Sequence, residues 1–151
     1  MITIDEFKNK INKKSRLLGL DLGSKRIGVA ICDDHQSIAT PFRTINKEGF
    51  VQFINELKLV IKENNIEGII VGNPINMDGS LSSASQSTKD VCKNILKNID
   101  VPLCLWDERL STVAAFNLSS QLDINVSKKI KKIDQNAAAF ILQGVLDYLK
   151  N

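Results

Sequence analysis

Apolar and polar positions along the chain change period between its first and second thirds. Residues 17–34 hold two short apolar runs, Leu17 to Leu22 and Ile27 to Cys32, on either side of a Gly23-Ser24-Lys25 turn. Runs this brief, bounded by turn residues, predict a hairpin of buried strands. Ser37 to Ile45 alternates and predicts a third strand, sent to a sheet edge by Pro41, which has no N–H to give a ladder. The period then lengthens: Phe50, Phe53, Ile54, Leu57 and Ile61 fall at helical spacing, Asn64-Asn65 stop that helix, and 68–72 read as a short buried strand. After a turn-rich loop from Asn73 to Ser80, the positions Ala84, Thr88, Val91, Cys92, Ile95 and Ile99 mark a second amphipathic helix, and Pro102 to Trp106 the last strand. Ser111 or Thr112 caps a third helix through Leu118, Gln121 to Lys132 reads as a polar, lysine-rich loop, and a final helix runs from Ile133 to Leu149. At the start, Thr3-Ile4-Asp5-Glu6 is a capping box, and Ile4, Phe7 and Ile11 share a face of a short helix ahead of the basic linker Lys13-Lys14-Ser15-Arg16.

The order β-β-β-α-β-α-β-α-α predicts an α/β domain: an antiparallel meander extended by two strands that arrive through helical crossovers and so run parallel to the first. Residues 1–16 read as an N-terminal helix and linker, and residues 17–151 as a single domain. With 151 residues a chain buries about two-thirds of the surface it exposes when unfolded, enough for one core. No apolar run approaches the roughly 20 residues of a membrane-spanning helix. The first residues lack the basic-then-apolar layout of a secretory signal, so a cytoplasmic protein without membrane contact is expected. Cys32, Cys92 and Cys104 are widely spaced in apolar surroundings, which fits buried reduced thiols and neither a disulfide framework nor a zinc knuckle. His35 follows Asp33-Asp34 in a turn, a setting for a solvated side chain that makes a Cys-His nucleophilic site a poor fit. The net charge of +3 is mild, so local charge placement decides any polyanionic partner.

That placement centres on carboxylates. Asp21 stands among leucines in the first strand, and burying an ionised carboxylate is costly without a partner. In open sheets of this kind ligands gather beyond the carboxyl ends of the parallel strands. Asp107-Glu108-Arg109 follows the last strand at that edge, and Asp134 opens the final helix, whose sheet-facing stripe is expected to be Ile133, Ala137, Phe140, Ile141 and Val145. Three segments thus deliver Asp21, Glu108 or Asp107, and Asp134 to one place. Singly each acid has a plain explanation: a helix start for Asp134, a pair with Arg109 for Glu108, a turn cap for Asp21. Jointly they repel one another, which divalent cations relieve; hard ions such as Mg²⁺ take oxygen ligands. Two such ions about 4 Å apart can activate water for in-line attack on a phosphodiester. Lys25, Arg26, Arg109 and the cluster Lys128, Lys129, Lys131 and Lys132 suit phosphate contacts, which carry affinity without sequence readout.

Four motifs, Asp21 to Ala30, Val71 to Ser80, Asp107 to Thr112 and Asp134 to Ala138, resemble in order the YqgF/RuvX family of pre-16S rRNA nucleases, also described as Holliday junction resolvases. The resemblance spans Leu17 to Leu149 and implies a ribonuclease H-like fold: a five-stranded mixed sheet with helices on both faces. It implies that Asp21, Glu108 and Asp134 are the catalytic triad and hold Mg²⁺ or Mn²⁺ in a two-metal site. Substrate contacts are then expected from Lys25, Arg26, Asn73, Asn76, Arg109 and Lys129. The implied activity is metal-dependent endonucleolytic processing of the 5′ end of precursor 16S rRNA. Resolution of branched DNA, or holding pre-rRNA without cutting it, stand as alternatives. Structured RNA is the expected partner ahead of branched DNA, and the protein is expected to act as a monomer or homodimer. Asn73 stands where the family carries an aliphatic residue, and the first sixteen residues extend beyond its usual start.

Overall fold

The computed structural model describes residues 1–74, 78–80, 83–107 and 126–150, with backbone alone for 126–135. Its elements are α1 (Ile4–Lys10), β1 (Arg16–Leu22), β2 (Arg26–Cys32), β3 (Ala39–Asn46), α2 (Phe50–Glu63), β4 (Ile66–Asn73), α3 (Ser83–Asn98), β5 (Leu103–Asp107) and α4 (Val126–Leu149). The five strands form one sheet in the order β3-β2-β1-β4-β5. β2 pairs antiparallel with both β1 and β3, while β4 lies parallel to β1 and β5 parallel to β4. This is the expected meander with two crossover strands. Pro41 is on the edge strand β3, at a bulge where Val29 and Ala30 face Arg43 and Pro41 and leave Phe42 over; edge and bulge are the places a sheet tolerates proline.

Strand alternation sorts side chains onto two faces. Leu18, Leu20, Ile27, Val29, Ile69, Val71 and Leu103 pack with Phe53, Ile54 and Leu57 of α2 and Cys92 and Ile95 of α3. On the other face Leu17, Ala30, Cys32, Ile70 and Cys104 pack with Phe7 of α1 and Ile141, Leu142, Val145 and Leu146 of α4. The capping box forms as expected, with the Thr3 hydroxyl accepting from the Glu6 N–H at 3.2 Å. α2 stops at Asn64, whose side-chain amide donates to the Val60 carbonyl at 2.9 Å, and Asn65 follows at φ 53°.

Two expectations need correction. Val126 to Lys132 is helical, so α4 starts seven residues earlier than predicted and Asp134 lies in its third turn. The lysines that made this stretch read as a loop are good helix formers. Phe140 is only half-buried; the sheet-facing row is Ala138, Ile141, Leu142, Val145 and Leu146. The predicted helix from Ser111 to Leu118 lies outside the described residues. Among the described residues no helix is long and apolar enough to cross a membrane.

Candidate active site

β1 presents Asp21 on the α4 face, one residue before the strand ends, and leaves its side chain half-buried. Its rung partner on β2 is Gly28; on β4, Leu20 pairs with Val71, so Asp21 and Gly72 are the next residues along. At its own rung the carboxylate is therefore flanked by glycines on both neighbouring strands. Gly72 in turn pairs with Trp106 of β5. A glycine inside a strand marks close approach of a ligand or another backbone, a signal present in the sequence at both positions.

α4 crosses β1 at Gly19, where an added Cβ would lie 2.9 Å from both the Ala138 carbonyl oxygen and Leu142 Cβ. Its last turns sit at the amino end of β1: the Tyr148 hydroxyl donates to Asp5 at 2.9 Å and the Lys150 ammonium to Ser37 Oγ at 2.9 Å. The helix therefore runs antiparallel to β1, its amino half leading to the carboxyl edge. From Gly19 to Asp21 is about 6.6 Å of strand, and from Ala138 back to Asp134 about 6 Å of helix. The backbone of Asp134 thus advances toward the same edge as Asp21.

Asp107 ends β5 opposite Asn73, and alternation sets it on the α3 face, away from that of Asp21. Glu108 and Arg109 come next in the chain and, like Asn76, lie outside the described residues; Asp134 and Lys129 are described in backbone only. Among the described residues no three His, Cys, Asp or Glu side chains gather as an ion-binding group. Lys25 and Arg26 close the β1–β2 turn at the same edge, Lys25 exposed and Arg26 half-buried. That turn is held by the Gly23 N–H donating to the Arg26 carbonyl at 2.9 Å, and a Cβ on Gly23 would collide with that carbonyl. Asn73 is 9% exposed and its side-chain oxygen accepts from the Ser85 hydroxyl at 2.8 Å. The link ties the end of β4 to the first turn of α3, a bond that Ser85, among several serines, did not announce.

This sheet order, with a carboxylate at the end of its central strand, defines a ribonuclease H-like α/β protein. The RuvC of Thermus thermophilus bound to a Holliday junction superposes with a TM-score of 0.55 at 11% identity, over 89% of this chain and 95% of that one. The fowlpox virus resolvase with its Holliday junction gives 0.50 at 13% identity, over 89% and 97%. At these identities the likeness is one of fold. Residues 15–148 match the family model described as RuvX, Holliday junction resolvase, and the chain belongs to that family. It is 68% identical to a Pelagibacter ubique protein named "Putative pre-16S rRNA nuclease", over the full length of both. It is 42% identical to one of the same name from Rhodobacter capsulatus, over 97% of this chain and 92% of the relative.

Proposed function

We propose that this chain is a metal-dependent endonuclease that trims the 5′ end of precursor 16S rRNA in the cytoplasm. The observation that carries the reading is the position of Asp21, at the carboxyl end of the central strand, between Gly28 and Gly72 and on the face that α4 covers. The name shared by the relatives supports RNA as the polymer. Residues 17–151 are the nuclease domain, with residues 1–16 a helix and linker docked on it.

The donor set, carboxylate oxygens with glycines at the rungs on both sides of Asp21, fits a hard divalent cation. Asp21, Glu108 and Asp134 would hold Mg²⁺ or Mn²⁺, which would supply water activation and charge neutralisation at the phosphodiester. Lys25 and Arg26 hold substrate phosphates at the β1–β2 turn, joined by Arg109 and Lys129. Asn73 and Asn76 belong to the segment that shapes the substrate groove, Asn73 by anchoring its start to α3. Hydrolysis leaves a 5′-phosphate and a 3′-hydroxyl.

Asp21→Asn is expected to abolish metal-dependent cleavage of a pre-16S 5′-leader RNA while leaving RNA binding in place. Unchanged cleavage overturns the assignment. The resemblance to RuvC in its junction complex favours a second reading, resolution of branched DNA. Preferential cutting of a four-way junction by a homodimer would establish it, since two symmetric cuts need two sites. Wild-type binding without any cleavage would make the protein a non-cleaving assembly factor.

A further inference from the structure

On the face of the sheet opposite Asp21, but at the same carboxyl edge, lies a pocket of about 280 Å³ lined by Leu22, Gly23, Ser24, Lys47, Ala84, Ser87, Thr88 and Val91. It adjoins a smaller apolar slot of about 80 Å³, where Leu22, Lys47 and Val91 recur beside Ile27, Phe50 and Phe53. The two share one wall and differ in chemistry. Ser24, Lys47, Ser87 and Thr88 are among the residues lining the larger, while the smaller is almost wholly apolar. Phe50 is 39% exposed and meets Phe53 edge-on with ring centroids 6.3 Å apart. The rim is pre-set: the Lys47 N–H donates to the Lys25 carbonyl at 2.9 Å, tying the segment after β3 to the β1–β2 turn. Thr88, only 4% exposed, forms part of the pocket wall.

An apolar slot with an accessible aromatic, opening into a space lined by hydroxyls and a lysine, matches one nucleotide: a base that stacks and a phosphate that is held. A paired base cannot enter such a slot, because its faces are covered by its neighbours in the helix. We propose that this pocket is a subsite for one unpaired nucleotide of the substrate strand, with the base against Phe50 and Val91 and the phosphate toward Lys47, Ser87 and Thr88. It rests on the nuclease reading and adds a preference to it: the strand leaves the duplex close to the Lys25-Arg26 turn. The subsite selects substrates by structure and not by sequence, since every base has a face to stack.

The test is fluorescence-anisotropy binding, without divalent metal, of two RNA duplexes of equal length, one carrying a single-stranded overhang. Phe50→Ala and Lys47→Gln are expected to weaken binding of the overhang RNA about tenfold and to change fully paired RNA far less. Ala84→Phe fills the pocket from an exposed helix position and removes no native contact, so its loss of overhang preference does not depend on the stability of the other variants. Equal loss on both RNAs, or no loss with any of the three, overturns the subsite. Cleavage measured in parallel keeps the readings apart: full cleavage with no overhang preference rejects the subsite alone, whereas overhang preference without cleavage rejects only the nuclease.

Discussion

A methyl group at Gly19 would stand 2.9 Å from the Ala138 carbonyl oxygen and equally close to Leu142 Cβ, and neither is the free end of a flexible chain. Gly19→Ala is therefore expected to cost about 1–3 kcal/mol by overpacking, read as a lower urea midpoint with an unchanged slope. If Asp134 on α4 belongs to the proposed metal site, cleavage falls with it. The three thiols are free and buried. Burial pushes Cys92 up to about 12 and Cys104 up to about 11, and raises Cys32 as well. A thiol reagent at pH 8 should therefore leave the native protein unlabelled and modify three cysteines once it is unfolded. Asp33 shifts the other way, held below the usual carboxylate value first by the Ile38 N–H and then by that of Ser37, at 2.9 and 2.7 Å. Its contribution is present above the unfolded value of 3.8 and disappears as the pH falls through the lower folded value. Asp33→Asn should thus flatten the acid limb of the stability profile, followed by thermal melts from pH 6 to pH 2.5. The cysteine and Asp33 environments were legible as residue types in turns or apolar runs; their hydrogen-bond partners were not.

Among the elements, α1 shows how a segment that reads as peripheral becomes core. Phe7 is fully buried against Gly68 and Leu17, and a Cβ on Gly68 would lie 2.6 Å from the phenylalanine ring. Phe7→Ala should cost about 3–5 kcal/mol, visible in chemical denaturation, although the helix lies at the opposite edge from Asp21. The capping box and the Ile4, Phe7, Ile11 face made α1 readable. Its docking depended on Gly68, 61 positions further along, which local periodicity cannot see. For α4 the sequence misled in the opposite direction. A run of lysines looked like a loop, yet Val126, Ile130, Ile133 and Ala137 keep helical spacing through it, and α4 starts at Val126. Asp134 is consequently an interior helix position, so a role as a stabiliser of the first turn no longer explains it.

For the whole molecule, a net charge of +3 gives only a weak global field, so polyanion binding must come from local clusters such as Lys25 and Arg26. Affinity for RNA should fall steeply with added salt, and Lys25→Gln should reduce the magnitude of the salt slope by about one, measured by titrations at several salt concentrations. By itself the sequence determined the class of fold, the strand order's meander and crossovers, and Asp21 as the acid to explain. Turn residues, period and chain order are local quantities, and they suffice to state that three strands form a meander and that two more run parallel to the first; which strand each of those two pairs with came from the structure. Only the tertiary structure decided that Gly28 and Gly72 stand on either side of Asp21, that α4 runs antiparallel to β1 over Gly19, and that Asn73 is bonded to Ser85. Those facts arise from register between strands and from contact between segments more than a hundred residues apart in the case of Gly19 and Ala138. No local pattern encodes such distances; close packing does.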